Sequence, residues 1–149
     1  MKILEPGQSD FETARWLNSL GFKERTMYRY ATETFEICEG VKLRQCRIGE
    51  LVRHNECVMS EDFLKKAIAA PMLERAAEFI HKKTGIKCCL HADEKNNKFY
   101  YQAVAYGSLI IMETVVCITD EDALETLMKM RNFRRCIENE IAKREHIIV

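Results

Sequence analysis

Glu50, His54 and Glu56 stand four and two residues apart, so on an extended strand all three side chains fall on one face. Two carboxylates and an imidazole placed in this way can take a proton from a reacting group, which is general-base work. The spacing matches no strong ligand motif, so no metal is expected. A wet strand face contains the same residue types. His81 and His91 fall at the ends of elements and read as structural.

The chain that must carry these groups has 149 residues, with 23 Lys+Arg against 23 Asp+Glu and 47% hydrophobic residues. A single soluble domain can bury an adequate core at this length without staples. The balanced charge argues against a protein held on duplex nucleic acid by phosphate contacts. Seven cysteines, odd in number and without a CxxC pair, give neither a disulfide framework nor a zinc ribbon. They read as small core residues in a reducing cytoplasm. The start, Met1 to Gly7, lacks a signal-peptide core, and no run approaches the roughly 18 apolar residues of a membrane helix.

Pattern along the chain predicts the scaffold. Residues 2–5 read as a strand, and Ser9 caps a helix from Asp10 to Leu20, with Glu12 completing a capping box. From Phe22 to Val58 the period is two, giving two or three antiparallel strands with turns at Glu39-Gly40 and Gly49. Ser60-Glu61-Asp62 can cap a further helix. Pro71 cannot sit inside an uninterrupted helix, so a break is expected between Leu64 and Ala70, with a fresh helix from near Pro71 to Gly85. Ile86–Ala92 reads as a buried strand, completing a β-loop-α-β unit that usually makes parallel strands. Phe99–Tyr106 fits a short helix or a strand that hairpins at Gly107, and the second choice makes the chain an α+β meander with no family tie. Leu109–Ile118 is an apolar strand. One long amphipathic helix, residues 120–145, follows, with a stripe of Leu124, Leu127, Met130, Phe133, Ile137 and Ile141. Its cluster of Lys129, Arg131, Arg134 and Arg135 fits a nucleic acid, an acidic protein or a solvated face, with the last favoured.

Several phrases in this scaffold carry a resemblance. MKILEPGQSDFE at the start, FLKKAIAAPMLERAAEFIHKKTG at Phe63–Gly85 and YYQAVAY at Tyr100–Tyr106 resemble the opening strand and helix, the pyrophosphate loop and the FYxKxGF phrase of the GNAT superfamily of N-acetyltransferases. The likeness covers about residues 1–118. Leu64, Ala67 and Ala69 take the three positions of the loop signature Gln/Arg-x-x-Gly-x-Gly/Ala, and Ala105 stands where the later phrase has glycine. The fold implied is α/β (α+β), a single GNAT-like domain with a mixed central sheet flanked by helices and an extra C-terminal helix.

That resemblance implies an acetyl-CoA-dependent N-acyltransferase acting on a primary amine. Lys65, Lys66, Ala67, Ile68, Ala69 and Ala70 would hold the pyrophosphate of acetyl-CoA. Glu56 or His54 would take the amine's proton, with Glu50 a further candidate, and Tyr101 would protonate the departing thiolate. The acceptor would be a small-molecule or protein amine. The final helix would meet a protein partner or a second copy. The alternative is a catalytically silent protein of the same fold, viral or phage-derived, that works as a binding or structural module, because glycine is missing at 67 and 105.

Overall fold

The computed structural model describes residues 4–39, 42–54 and 61–147. The elements run α1 (Phe11–Ser19), β1 (Tyr28–Tyr30), β2 (Phe35–Glu39), β3 (Lys42–Cys46), β4 (Leu51–Arg53), α2 (Glu61–Lys66), β5 (Ile68–Ala70), α3 (Leu73–Thr84), β6 (Lys87–Asp93), β7 (Lys98–Ala105), β8 (Leu109–Glu113), α4 (Asp120–Lys129) and α5 (Arg131–Ile147). The fold is mixed α/β. Its strands form three small sheets, β4-β1-β5, β2-β3 and β6-β7-β8. Every ladder among the described residues is antiparallel. No described helix is long and apolar enough to cross a membrane.

The chain divides into two compact units, Gln8–Pro71 and the combination of Met1–Gly7 with Met72–Val149. In the first unit, Asp10 caps α1 by accepting from the Thr13 N–H at 2.8 Å. Ser9, the expected cap, is occupied elsewhere, donating its hydroxyl to the Pro71 carbonyl at 2.6 Å. Ala14 and Leu17 are buried on the face of α1 that meets β5. β1 is the central strand of its sheet, with Tyr30 opposite Leu51 on one side and Ile68 on the other. Phe35 and Phe63 meet edge to face with centroids 5.1 Å apart, in a core shared with Ala31, Ile37, Cys46, Val52 and Ala67. Such aromatic pairs add about 0.5–1.5 kcal/mol beyond area burial. β2 and β3 pair out to Glu39 opposite Lys42. The expected turn residue Gly40, the cap Ser60 and residues 2 and 3 of the expected opening strand lie outside the described residues, and residues 4 and 5 are not in a strand.

The break expected ahead of Pro71 takes a definite form. α2 stops at Lys66, and β5 is zipped onto β1 before the chain turns into α3. β5 and β6 flank a helix as a β-α-β unit does, yet they belong to different sheets. The expected single mixed sheet is therefore replaced by separate antiparallel ones. The cause is local. β6 and β7 pair from Asp93 opposite Lys98 across a four-residue connection, and β7 and β8 pair from Ala105 opposite Leu109, so short turns zip each strand to its sequence neighbour. Tyr106 and Gly107 both have positive φ, 52° and 84°, the backbone that suits a tight hairpin.

In the second unit α3 and α4 lie against the β6-β7-β8 sheet. Tyr101, Ala103 and Ala105 alternate as the buried face of β7, and the two alanines let α4 approach. The sheet strand β6 is not the buried strand expected from Ile86–Ala92, since its residues are exposed or half-buried; Ile86 itself is buried just before it. α3 ends at Gly85 with φ +77°, where a Cβ would stand 3.0 Å from the Arg144 guanidinium.

The expected long helix over residues 120–145 is two helices. Met130 leaves the helical conformation, with ψ 122°. Six residues from Leu127 to Phe133 turn an ideal helix by 600°, which would leave Phe133 about 120° off the buried face. The break returns Phe133 and Ile137 to the core beside Leu127 and Met128, all four fully buried. Arg134 spans the break by donating Nε to the Met128 carbonyl at 2.8 Å.

Candidate functional site

The unit Gln8–Pro71 contains a basic pocket of about 150 Å³ lined by Asn18, Phe22, Lys23, Arg29, Lys65, Lys66, Ala67, Ile68 and Ala69. Five of the six residues expected to hold a pyrophosphate are among them. The backbone of this segment is heavily used. β5 pairs with β1, the Ala67 N–H donates to the Phe63 carbonyl at 2.7 Å, and Thr32 donates its hydroxyl to the Lys66 carbonyl at 2.8 Å. Arg29 Nη2 donates to the carbonyls of Leu64 at 3.2 Å and Ala67 at 2.8 Å. Its Nε is buried without a hydrogen-bond partner, and burial holds the guanidinium below its ordinary pKa.

Charges around this pocket are unequally engaged. Lys66 pairs with Glu33 at 2.9 Å and approaches Asp62 at 3.9 Å, and the Glu33 hydrogen bond raises its pKa. Lys23 donates to the Asn18 side chain at 2.8 Å. Lys65 has no ion-pair partner among the described residues. Arg29 escaped the reading of the sequence, although a cation in the middle of a half-buried Tyr-Arg-Tyr strand is an unusual placement and could have flagged it.

The expected bases are scattered. β4 covers only Leu51–Arg53, so Glu50 and His54 flank it. Arg44 Nη1 grips both carboxylate oxygens of Glu50, at 2.9 and 2.8 Å. His54 donates its backbone N–H to the Met27 carbonyl at 2.7 Å, and its buried Nδ1 has no partner among the described residues. Glu56 lies outside the described residues.

Tyr101 belongs to the other unit, in a cavity of about 210 Å³ lined by Pro6, Gly7, Met72, Leu73, Glu74, Tyr101, Asp120, Glu121 and Leu124. Its strand position is fixed from both sides of the backbone. The Tyr101 N–H donates to the Thr114 hydroxyl at 3.0 Å, and the Thr114 N–H donates to the Tyr101 carbonyl at 2.9 Å. Burial first, then the charges of Glu74, Asp120, Cys88 and Glu121, push the phenol up to about 12, so it keeps its proton at neutral pH. A hydrogen bond to Asp120 likewise raises the Glu121 carboxyl. The carboxylates of Glu74, Asp120 and Glu121 occupy the first turns of α3 and α4, which hides them in the sequence as ordinary helix-start residues.

Tyr101 thus falls in a different unit from His54 and residues 65–70. The basic cluster near the chain's end is partly spent: Lys129 pairs with Glu125 at 2.8 Å, and Arg134 bridges the α4–α5 break. No protein-family model matches the chain, and no curated protein or solved structure matches it at a significant level.

Proposed function

We propose that the unit Gln8–Pro71 binds a phosphate-bearing ligand through Lys65 and Arg29. The sequence resemblance singles out acetyl-CoA as that ligand, and hence an N-acyltransferase acting on a primary amine. The observation that carries this reading is the coincidence of the expected loop, residues 65–69, with a pocket lined by four cations. At about 150 Å³ it is smaller than the roughly 300–1,000 Å³ that encloses a drug-sized molecule, so it suits a phosphate head group with the remainder lying outside. Arg29 lines the same pocket and adds its charge to the wall.

A second reading, the catalytically silent binding module, draws support from the engaged backbone. A pyrophosphate loop works through free N–H groups at a helix start. In this chain β5 pairs with β1, so side chains would have to do the holding.

Calorimetry and thermal melting with acetyl-CoA, CoA and inorganic pyrophosphate, at matched ionic strength, separate the readings. Saturable binding that weakens in Lys65→Ala, with acetyl transfer to a panel of amines followed by mass spectrometry, supports the transferase. Binding without transfer supports the silent module. No rise in Tm at millimolar ligand removes the phosphate site altogether, because a ligand of the native state must stabilise it.

A further inference from the structure

The basic pocket does not end at its cations. Asn18 and Ile68 also line a second, wider cavity of about 410 Å³, together with Phe11, Arg15, Ser19, Thr32 and Ile48. Every residue of both cavities lies in the unit Gln8–Pro71, and the shared walls make them one groove. At about 150 and 410 Å³ the two parts together fall in the range of a small-molecule site, roughly 300–1,000 Å³.

Helix α1 accounts for the continuity. Phe11, Arg15 and Asn18 stand at i, i+4 and i+7, so they fall along one stripe of that helix. The stripe leads from the wide part, at Phe11 and Arg15, to the junction with the cationic end, at Asn18. Apolar surface in the wide part comes from Phe11, Ile48 and Ile68, and Ile48 is 61% exposed. The Arg15 guanidinium lies 5.5 Å from the centroid of the Phe11 ring. Polar groups there offer both kinds of partner. The Thr32 hydroxyl donates to the Lys66 carbonyl and the Ser19 hydroxyl to the Trp16 carbonyl, so each oxygen is left as an acceptor. Asn18 accepts from Lys23 through Oδ1, which leaves its N–H groups as donors. A plain hydrocarbon would use none of these, whereas a nucleobase carries donors and acceptors on its edges and flat faces that stack.

We propose, resting on the phosphate reading above, that the groove takes a nucleoside monophosphate. The phosphate sits among Lys23, Arg29 and Lys65, and the base enters the wide part against Phe11 and Ile48. Cations alone would hold any phosphate equally, so the wide part is what selects the base.

Calorimetry with AMP, ribose 5-phosphate, phenyl phosphate and adenosine, at matched ionic strength, tests the two halves separately. AMP is expected to bind about tenfold or more tighter than ribose 5-phosphate, the gain from one stacked base. Phenyl phosphate should fall between them, and adenosine should bind weakest. Ile48→Ser, at an exposed position, should lower the preference for AMP over ribose 5-phosphate by about threefold. Lys65→Ala should weaken both alike, and circular dichroism checks that each variant is folded. Equal binding of AMP and ribose 5-phosphate overturns the nucleotide and leaves the phosphate site standing. Phenyl phosphate binding as tightly as AMP overturns the choice of a base. A preference for AMP that survives both Ile48→Ser and Phe11→Leu overturns its placement. No binding of any of these, inorganic pyrophosphate included, removes the phosphate site and the nucleotide with it. AMP that binds and is not displaced by acetyl-CoA upholds the nucleotide and removes the coenzyme reading alone.

Discussion

Arg44 holds Glu50 through one nitrogen and both carboxylate oxygens, at 2.9 and 2.8 Å, with each side chain 30% exposed. A carboxylate gripped in this way has given up the freedom that a general base needs. Replacing Glu50→Gln is expected to lower stability by about 0.5–1 kcal/mol, the range for a partly exposed ion pair. Urea unfolding followed by Trp16 fluorescence measures it. A loss several times larger would show that the pair does more than join β3 to the start of β4.

Arg29 donates to two carbonyls, of Leu64 and Ala67, from the middle of a sheet. Arg29→Met should cost about 1.5–3 kcal/mol, since two charge-assisted hydrogen bonds vanish together. Arg29→Lys should recover only part, because both bonds leave Nη2, at the far end of a side chain longer than that of lysine. Comparing the urea midpoints of the two variants checks the order.

Tyr30 and Tyr101 are both pushed up to about 12, in each case chiefly by burial. Their folded-state values exceed the unfolded value of about 10, so the folded protein retains protons that the unfolded chain releases. Stability is then undiminished below pH 10 and falls as pH rises from 10 towards 12. Tyrosinate absorbance should show two of the five tyrosines ionising late. Tyr101→Phe should flatten part of the alkaline loss of stability, and an unchanged slope would count against the burial of this phenol.

Burial also raises the Cys88 thiol to about 12, and Cys46 is fully buried. The thiolate is the reactive form, so both should resist iodoacetamide in the native state at pH 8. Peptide mapping by mass spectrometry should find them labelled only after denaturation. Rapid native labelling of the half-buried Cys88 would contradict its raised thiol.

Much of the scaffold was legible because strong local signals agreed with it. Pro71 announced the end of one segment and the start of α3, and Gly85 its stop. The hairpin choice for Phe99–Tyr106 was also visible, in the aromatic run and Gly107. Other features were silent for physical reasons. Nothing at Met130 breaks a helix locally; the break arises because Phe133 and Ile137 must reach the core. Ser9 and Asp10 are equally good caps by type, and only the engagement of Ser9 with Pro71 decides between them. The grouping of Glu74 with Asp120 and Glu121 depends on two helix starts 47 residues apart sharing one cavity, which no local pattern records.

The turn at Tyr106-Gly107 has a practical side. Tyr106 is 79% exposed, and a Cβ at Gly107 would meet nothing within 4 Å. Added chain at such a tip costs little, since closure entropy grows only slowly with loop length. This hairpin is therefore a place to graft a short epitope or a dye-accepting peptide, giving an optical reporter on the unit that holds Tyr101 while the cavity stays untouched.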